Sequence, residues 1–157
     1  MPLFCRARGF TLLELLVVLV IAGLLLGMVA FNAMPGPRKA LENEAQRIAL
    51  LFQLARDEAI VRNRPIAFEA DAERYRFLIR DNDKWQSLPQ DDLLREREFQ
   101  RAPIALAISP AVVAAQTNPL RIVFGREPVD KPFVMTMTFG NSSVSIQADG
   151  IGHFEVK

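Results

Sequence analysis

The sequence predicts an α+β protein: a long N-terminal helix, membrane-spanning in its first half and amphipathic in its second, packed on a mainly antiparallel β head. Three observations carry this expectation. The run from Phe10 to about Phe31 holds a single charge, Glu14, and no further charge follows until Arg38. Beyond Arg38, apolar residues recur at alternating steps of four and three, the spacing of one helix face. From Ile66 onward, short alternating segments are punctuated by Pro, Gly and Asn, as in antiparallel sheets.

At a rise of about 1.5 Å per residue, roughly 20 apolar residues cross a bilayer core, and this run is long enough. It exceeds the apolar region of about 7–15 residues found in a cleaved secretory signal. The segment Met28-Val29-Ala30-Phe31-Asn32-Ala33 also makes a poor cleavage site. Arg6 and Arg8 precede the span, and no acid lies before Glu14, which orients the N-terminus toward the cytoplasm. Gly23 and Gly27 form a G-x-x-x-G, a spacing that lets helices approach closely in lipid and is also common among membrane helices generally. An acid at the bilayer centre costs roughly 2.5–3.5 kcal/mol on insertion scales, and less near the edge. Glu14 is therefore either a tolerated interfacial acid or one half of a pair whose cation lies on another chain.

Gly9-Phe10-Thr11-Leu12-Leu13-Glu14 ahead of an apolar run resembles, at every position, the class III leader of type IV pilins and type II secretion pseudopilins. The resemblance implies cleavage by a prepilin peptidase between Gly9 and Phe10, methylation of Phe10, and a salt bridge from Glu14 to the terminal amine of a neighbouring subunit. It further implies a single-pass protein of the bacterial inner membrane, with its head in the periplasm. The implied partners are other major and minor pseudopilins, an inner-membrane assembly platform and secreted cargo.

The division expected is a leader over 1–9, a transmembrane assembly helix over 10–34, an amphipathic half over 35–63 after a Pro35-Gly36-Pro37 kink, and a β head over 64–157. In the amphipathic half, Leu41, Ala45, Ile48, Phe52, Ala55 and Ala59 form the stripe. Its three alanines allow close approach of a sheet. Ile60, Leu50, Leu51 and Leu54 widen the apolar surface, the leucines as candidate contacts to neighbouring subunits. Asn63-Arg64-Pro65 ends the helix.

Ile66, Phe68 and Ala70 alternate, as do Tyr75, Phe77 and Ile79, which predicts a hairpin through Asp71-Ala72-Glu73-Arg74. Ala55-Arg56-Asp57-Glu58-Ala59-Ile60, Arg64-Pro65 and this hairpin are similar to the helix-to-strand passage of the GspH/FimT-like group of pilin-like proteins. The group implies a minor pseudopilin of the H type that assembles near the tip of a short fibre. Phe133-Val134 and Asp149-Gly150-Ile151-Gly152 resemble the end of the same group more loosely. A FimT-like minor type IV pilin, serving pilus assembly or DNA uptake, is the alternative.

Asp81-Asn82-Asp83 reads as a polar turn, because three adjacent residues do not converge on one calcium ion and no EF-hand continuation follows. Trp85 and Leu88 are expected in the core, and Asp91 to Arg101 as a solvated loop or short helical turn. Further strands are expected over Ile104–Ile108, Leu120–Phe124 and Phe133–Phe139. After a turn at Asn141-Ser142-Ser143, two more follow, through Val144–Ala148 and Phe154–Val156. A sandwich is the favoured head, although the pattern leaves one sheet or two open.

The chemistry of an enzyme is missing. His153, placed in the last strand, is the single histidine, no nucleophile-elbow motif surrounds any serine, and no phosphate-cradling glycine motif occurs. Zinc needs three or four ligands, and the only cysteine, Cys5, lies in the leader, so neither a metal, a cofactor nor a disulfide is expected. Beyond the apolar run, 17 basic residues balance 17 acidic ones. That neutrality argues against nucleic acid, whose non-specific binding rests on a positive patch.

Overall fold

Leu12 to Asn32 form one uninterrupted helix, α1, whose length of 21 residues corresponds to about 31 Å. The structure is a computed structural model and describes residues 11–32, 36–111, 114–115 and 118–157. Gly9, Phe10 and Pro35 lie outside the described residues, as does the expected kink at Pro35-Gly36-Pro37 in part. The chain divides into two units, Met1–Pro35 and Gly36–Lys157. Among the described residues no helix is long and apolar enough to cross a membrane, and the described side chains of α1 stop at Leu26.

The second unit opens with helix α2, Pro37–Val61, with Gly36 at its N-cap and Pro37 in its first turn. Proline suits that position because its missing N–H would have had no intrahelical partner. Asn63 then takes a φ of 52°, a left-handed conformation that stops the helix before Pro65. All six residues of the expected stripe are buried, and Ala45, Ala55 and Ala59 are fully so. Leu51 is buried with them rather than presented to a neighbour, while Leu50 is 69% exposed.

Among the described residues the head contains two antiparallel sheets, which resolves the open choice between one and two. In the first, β1 (Ile66–Ala70) pairs with β2 (Arg74–Asp81) in the expected hairpin. Asp71 shapes its turn by accepting from the Glu73 and Arg74 amides at 2.7 and 2.9 Å. Asn82 and Asp83, both at positive φ, connect β2 to β3 (Lys84–Ser87) in a two-residue turn. β4 (Arg97–Glu98) pairs with the start of β2, and β7 (Leu120–Phe124) with the other edge of β1. The two-residue β6 (Ala114–Ala115) lies beyond β7.

The second sheet runs in the order β10-β9-β8-β5, from Phe154–Val156, Ser142–Ala148, Phe133–Phe139 and Ala105–Ser109. Gly140 and Asn141 form the β8–β9 turn, so Ser142 and Ser143 belong to β9 rather than to the turn expected of them.

α2 packs against strands of both sheets. At the centre stands Phe52, fully buried. Its ring lies 4.8 Å from Phe68 and 5.3 Å from Phe124 of the first sheet, and 6.1 Å from Phe133 and 5.7 Å from Phe154 of the second.

Two expectations are met only in part, each for its own reason. The 91–101 segment is largely exposed and turns at residues 92–94, as expected, with Asp91 accepting from the Leu93 and Leu94 amides; what was not expected is that Leu94 and Phe99 are buried in the core. Trp85 is half-buried outside the core, whereas Leu88 packs partly against it.

Candidate assembly site

Glu14 lies in the first turn of α1, where a carboxylate complements the positive end of the helix dipole. Its amide donates to Thr11, to the carbonyl at 3.0 Å and the hydroxyl at 3.3 Å, so Thr11 caps the helix. The described side chains from Leu12 to Leu26 are all exposed, and none offers the Glu14 carboxylate an ion pair. A run of exposed apolar side chains of this size marks an interaction surface. Gly23 meets no atom within 4 Å of where a Cβ would stand, so among the described residues no contact explains a glycine there. Gly27 belongs to the same helix, one turn on.

The head brings together two stretches that the sequence kept apart. Arg56, on α2, donates to the Pro128 carbonyl and has a side chain only 13% exposed. Gly152, at a φ of 110°, stands so close to this guanidinium that a Cβ would collide with it. Gly150, at 85°, leaves room for the Asp130 carbonyl, and its own carbonyl accepts from the Asp130 amide at 2.7 Å. The Arg56 motif and the Asp149-to-Gly152 segment are thus two sides of one contact that clamps two loops to the helix.

Asp149 accepts from the amides of Ile151, Gly152 and His153 at 2.8, 3.1 and 3.0 Å, with His153 Nδ1 at 2.7 Å from its other oxygen. Desolvation would raise its carboxyl. The Ile151 amide and the His153 ring and amide outweigh that and hold it at about 2. His153 lies in this loop, 77% exposed, rather than in the last strand, because Gly150 and Gly152 turn the chain before β10 begins.

On the outer face of the first sheet, Glu69 is only 3% exposed, between Arg76 at 2.8 Å and Arg121. Burial alone would raise its carboxyl, but the hydrogen bonds from Arg121 and Arg76 hold it below the usual range. Trp85 lies beneath Arg80 and Arg121, with the guanidinium carbons 5.9 and 5.6 Å from its ring centre. The sequence reading missed this cluster. A hairpin centred between Ala72 and Glu73 already sets Glu69 opposite Arg76, but nothing local places Arg121 beside them. Among the described residues no group of three or more His, Cys, Asp or Glu is placed to hold a metal ion.

A helix packed across two antiparallel sheets, behind an N-terminal apolar helix with one acid in its first turn, defines the chain as a pilin-like protein. It belongs to the GspH family of type II transport proteins, whose family model matches residues 44–152, and the prokaryotic N-terminal methylation motif matches residues 5–30. The type II secretion system protein H of Pseudomonas aeruginosa is 30% identical over 139 residues, covering 87% of this chain and 79% of that protein.

Two structures of the minor pseudopilin EpsH of Vibrio cholerae share the fold. One has a TM-score of 0.59 at 15% identity, covering 78% of this chain and 98% of that one; the other has 0.54 at 18%, covering 72% and 92%. The type IV minor pilin FimU of Pseudomonas aeruginosa gives 0.53 at 15%, covering 74% and 87%. At such identities the likeness is one of fold.

Proposed function

We propose that the chain works as a minor pseudopilin, a structural subunit near the tip of a type II secretion pseudopilus that helps export folded proteins across the outer membrane. Its precursor is a single-pass protein of the inner membrane. Residues 1–9 form the cytoplasmic leader, 10–34 the assembly helix, 35–63 the amphipathic half and 64–157 the periplasmic head. Prepilin peptidase cuts between Gly9 and Phe10, and Phe10 is methylated.

The observation that carries the reading is Glu14: a lone carboxylate in the first turn of an exposed apolar helix, with no ion-pair partner among the described residues. In hydrocarbon such an acid is costly. The cationic amine of a neighbour's cut terminus, at the same depth, offsets that cost and sets the stagger between subunits. Gly23 and Gly27 let adjacent helices approach. The head then meets other pseudopilins, the assembly platform and cargo, and the work is assembly rather than catalysis.

Mass spectrometry of the mature N-terminus tests the processing, with a methylated Phe10 expected and an uncut Met1 contradicting it. Exchange of Glu14 for Ala tests the pairing: incorporation into the fibre and export should both collapse. Full incorporation of that variant would refute the role given to Glu14. Duplex DNA binding by the head that falls steeply with salt would instead favour the FimT-like alternative.

A further inference from the structure

The two outward sheet faces of the head differ in kind. The first sheet presents arginines and acids. The second presents an uncharged patch on three of its four strands. Ala107, Thr136 and Ser145 form its middle row, across β5, β8 and β9; Ala105, Thr138 and Ser143 lie on one side and a row through Val134 on the other. The alternate residues Met135, Met137, Val144 and Ile146 are buried in the core, so this grid faces outward. Ionised side chains return only at β10, with Glu155 and Lys157. In a unit whose composition is otherwise rich in charge, such a face stands out.

We infer that this neutral face of the second sheet is the surface that docks against the head of an adjacent, different pilin-like subunit. Three physical points support it. Covering the three-strand patch strips no ion of water except at its β10 edge, where Lys157 donates to Gln147 at 2.6 Å, and stripping an ion is the step that makes buried charge costly. Alanine, serine and threonine lose little rotamer freedom when covered. The hydroxyls are already partly satisfied within the sheet: Thr138 Oγ1 lies 3.4 Å from Ser143 Oγ, and Ser145 Oγ lies 3.4 Å from the Lys157 carbonyl.

Size selects the occupant. Three strands about 4.8 Å apart and five residues at about 3.4 Å each give roughly 250 Å². A stable interface between free proteins buries about 800 Å² per partner. The face is too small to hold a partner from solution. It suffices for one already held alongside, because a second contact between tethered molecules forms at high effective concentration. Neighbouring subunits fixed by their N-terminal helices meet that condition, and secreted cargo does not. The matching surface is shallow, uncharged and built of small side chains. This inference rests on the proposed function. A minor subunit is scarce in its fibre, so its neighbour is a different chain.

The test uses the full-length protein in cells that make the complete set of secretion subunits. Thr136→Cys, labelled with a maleimide that carries a photoactivatable diazirine and then irradiated, should couple to a different pilin-like subunit, and Arg80→Cys on the first sheet should not. Thr136→Lys and Ala107→Glu should each lower co-isolation with other pilin-like subunits about tenfold or more, because each buries an unpaired charge. Their heads should melt as the parent does. Unchanged co-isolation of both charge variants overturns the inference, as does coupling of Thr136→Cys to a second copy or to a secreted protein. If the parent chain co-isolates with no other pilin-like subunit, the proposed function fails as well.

Discussion

Phe52 is the residue on which the head's two sheets meet, and removing its ring provides the sharpest measurement. The Phe52→Ala substitution deletes a fully buried ring that approaches four others at centroid distances of 4.8 to 6.1 Å. Phenylalanine-to-alanine changes in cores cost about 3–5 kcal/mol, more where the surroundings do not collapse into the space. Here the lining comes from α2 and from strands of separate sheets, each held by its own ladder, so the upper half of that range is expected. A head of ordinary stability has about 5–15 kcal/mol to lose. Trp85 is the only tryptophan and reports unfolding of the unit Gly36–Lys157 in urea without interference. With a slope of about 2 kcal/mol per molar, the midpoint should fall by about 2 M. A loss below about 1 kcal/mol would refute the reasoning, because a ring that bridges two sheets cannot be so dispensable. Pairing Phe52→Ala with Phe68→Ala and, separately, with Phe154→Ala should give coupling of about 0.5–3 kcal/mol in both cycles; coupling in one alone would mean that the ring serves a single sheet.

Three further outcomes follow from the geometry. Gly150→Ala should destabilise the head by about 1–3 kcal/mol, from the left-handed backbone and the collision with the Asp130 carbonyl, and urea unfolding measures it. Tyr75 is the only tyrosine and is fully buried. Burial raises its hydroxyl against the opposing pull of Arg47, so its phenolate absorbance should appear above the ordinary pH of about 10. Because the folded value is the higher one, this term is present below the unfolded value and is lost as pH rises beyond it. Asp149 is the opposite case. Its folded carboxyl lies at about 2 against 3.8 for the free group, so its stabilisation is complete above the free value and is lost as pH falls toward 2. The stability gap between the parent and Asp149→Asn should therefore shrink across that window, which urea unfolding at stepped pH would show.

Local periodicity made much of the head legible. The α2 stripe, the β1–β2 hairpin and the strands β7 to β10 each follow from side-chain spacing over a few residues, and the structure has them where the spacing puts them. Pairing at a distance left weaker traces. The two-residue β4 has no pattern of its own and exists because β2 offers an edge at Arg74 and Tyr75. Leu94 and Phe99 are two apolar residues in a charged stretch, and only the fold shows that they point inward. Trp85 misled for the reverse reason, since an aromatic ring also serves as a slab for guanidinium groups on an outer face. The Arg56 clamp was visible as two short motifs, and their meeting was not, because 96 positions separate Arg56 from Gly152.

The order in which the covering strands are made has a bearing on how the head closes. α2 is synthesised early, yet β8, β9 and β10, which cover much of its apolar stripe, come last. A chain delivered N-terminus first therefore carries Ile48, Phe52 and Ala55 bare until its final strands arrive. Closure of this head is a late event with long loops to close, which is slow. During that interval the bare stripe leaves the unfinished polypeptide open to proteolysis and clumping.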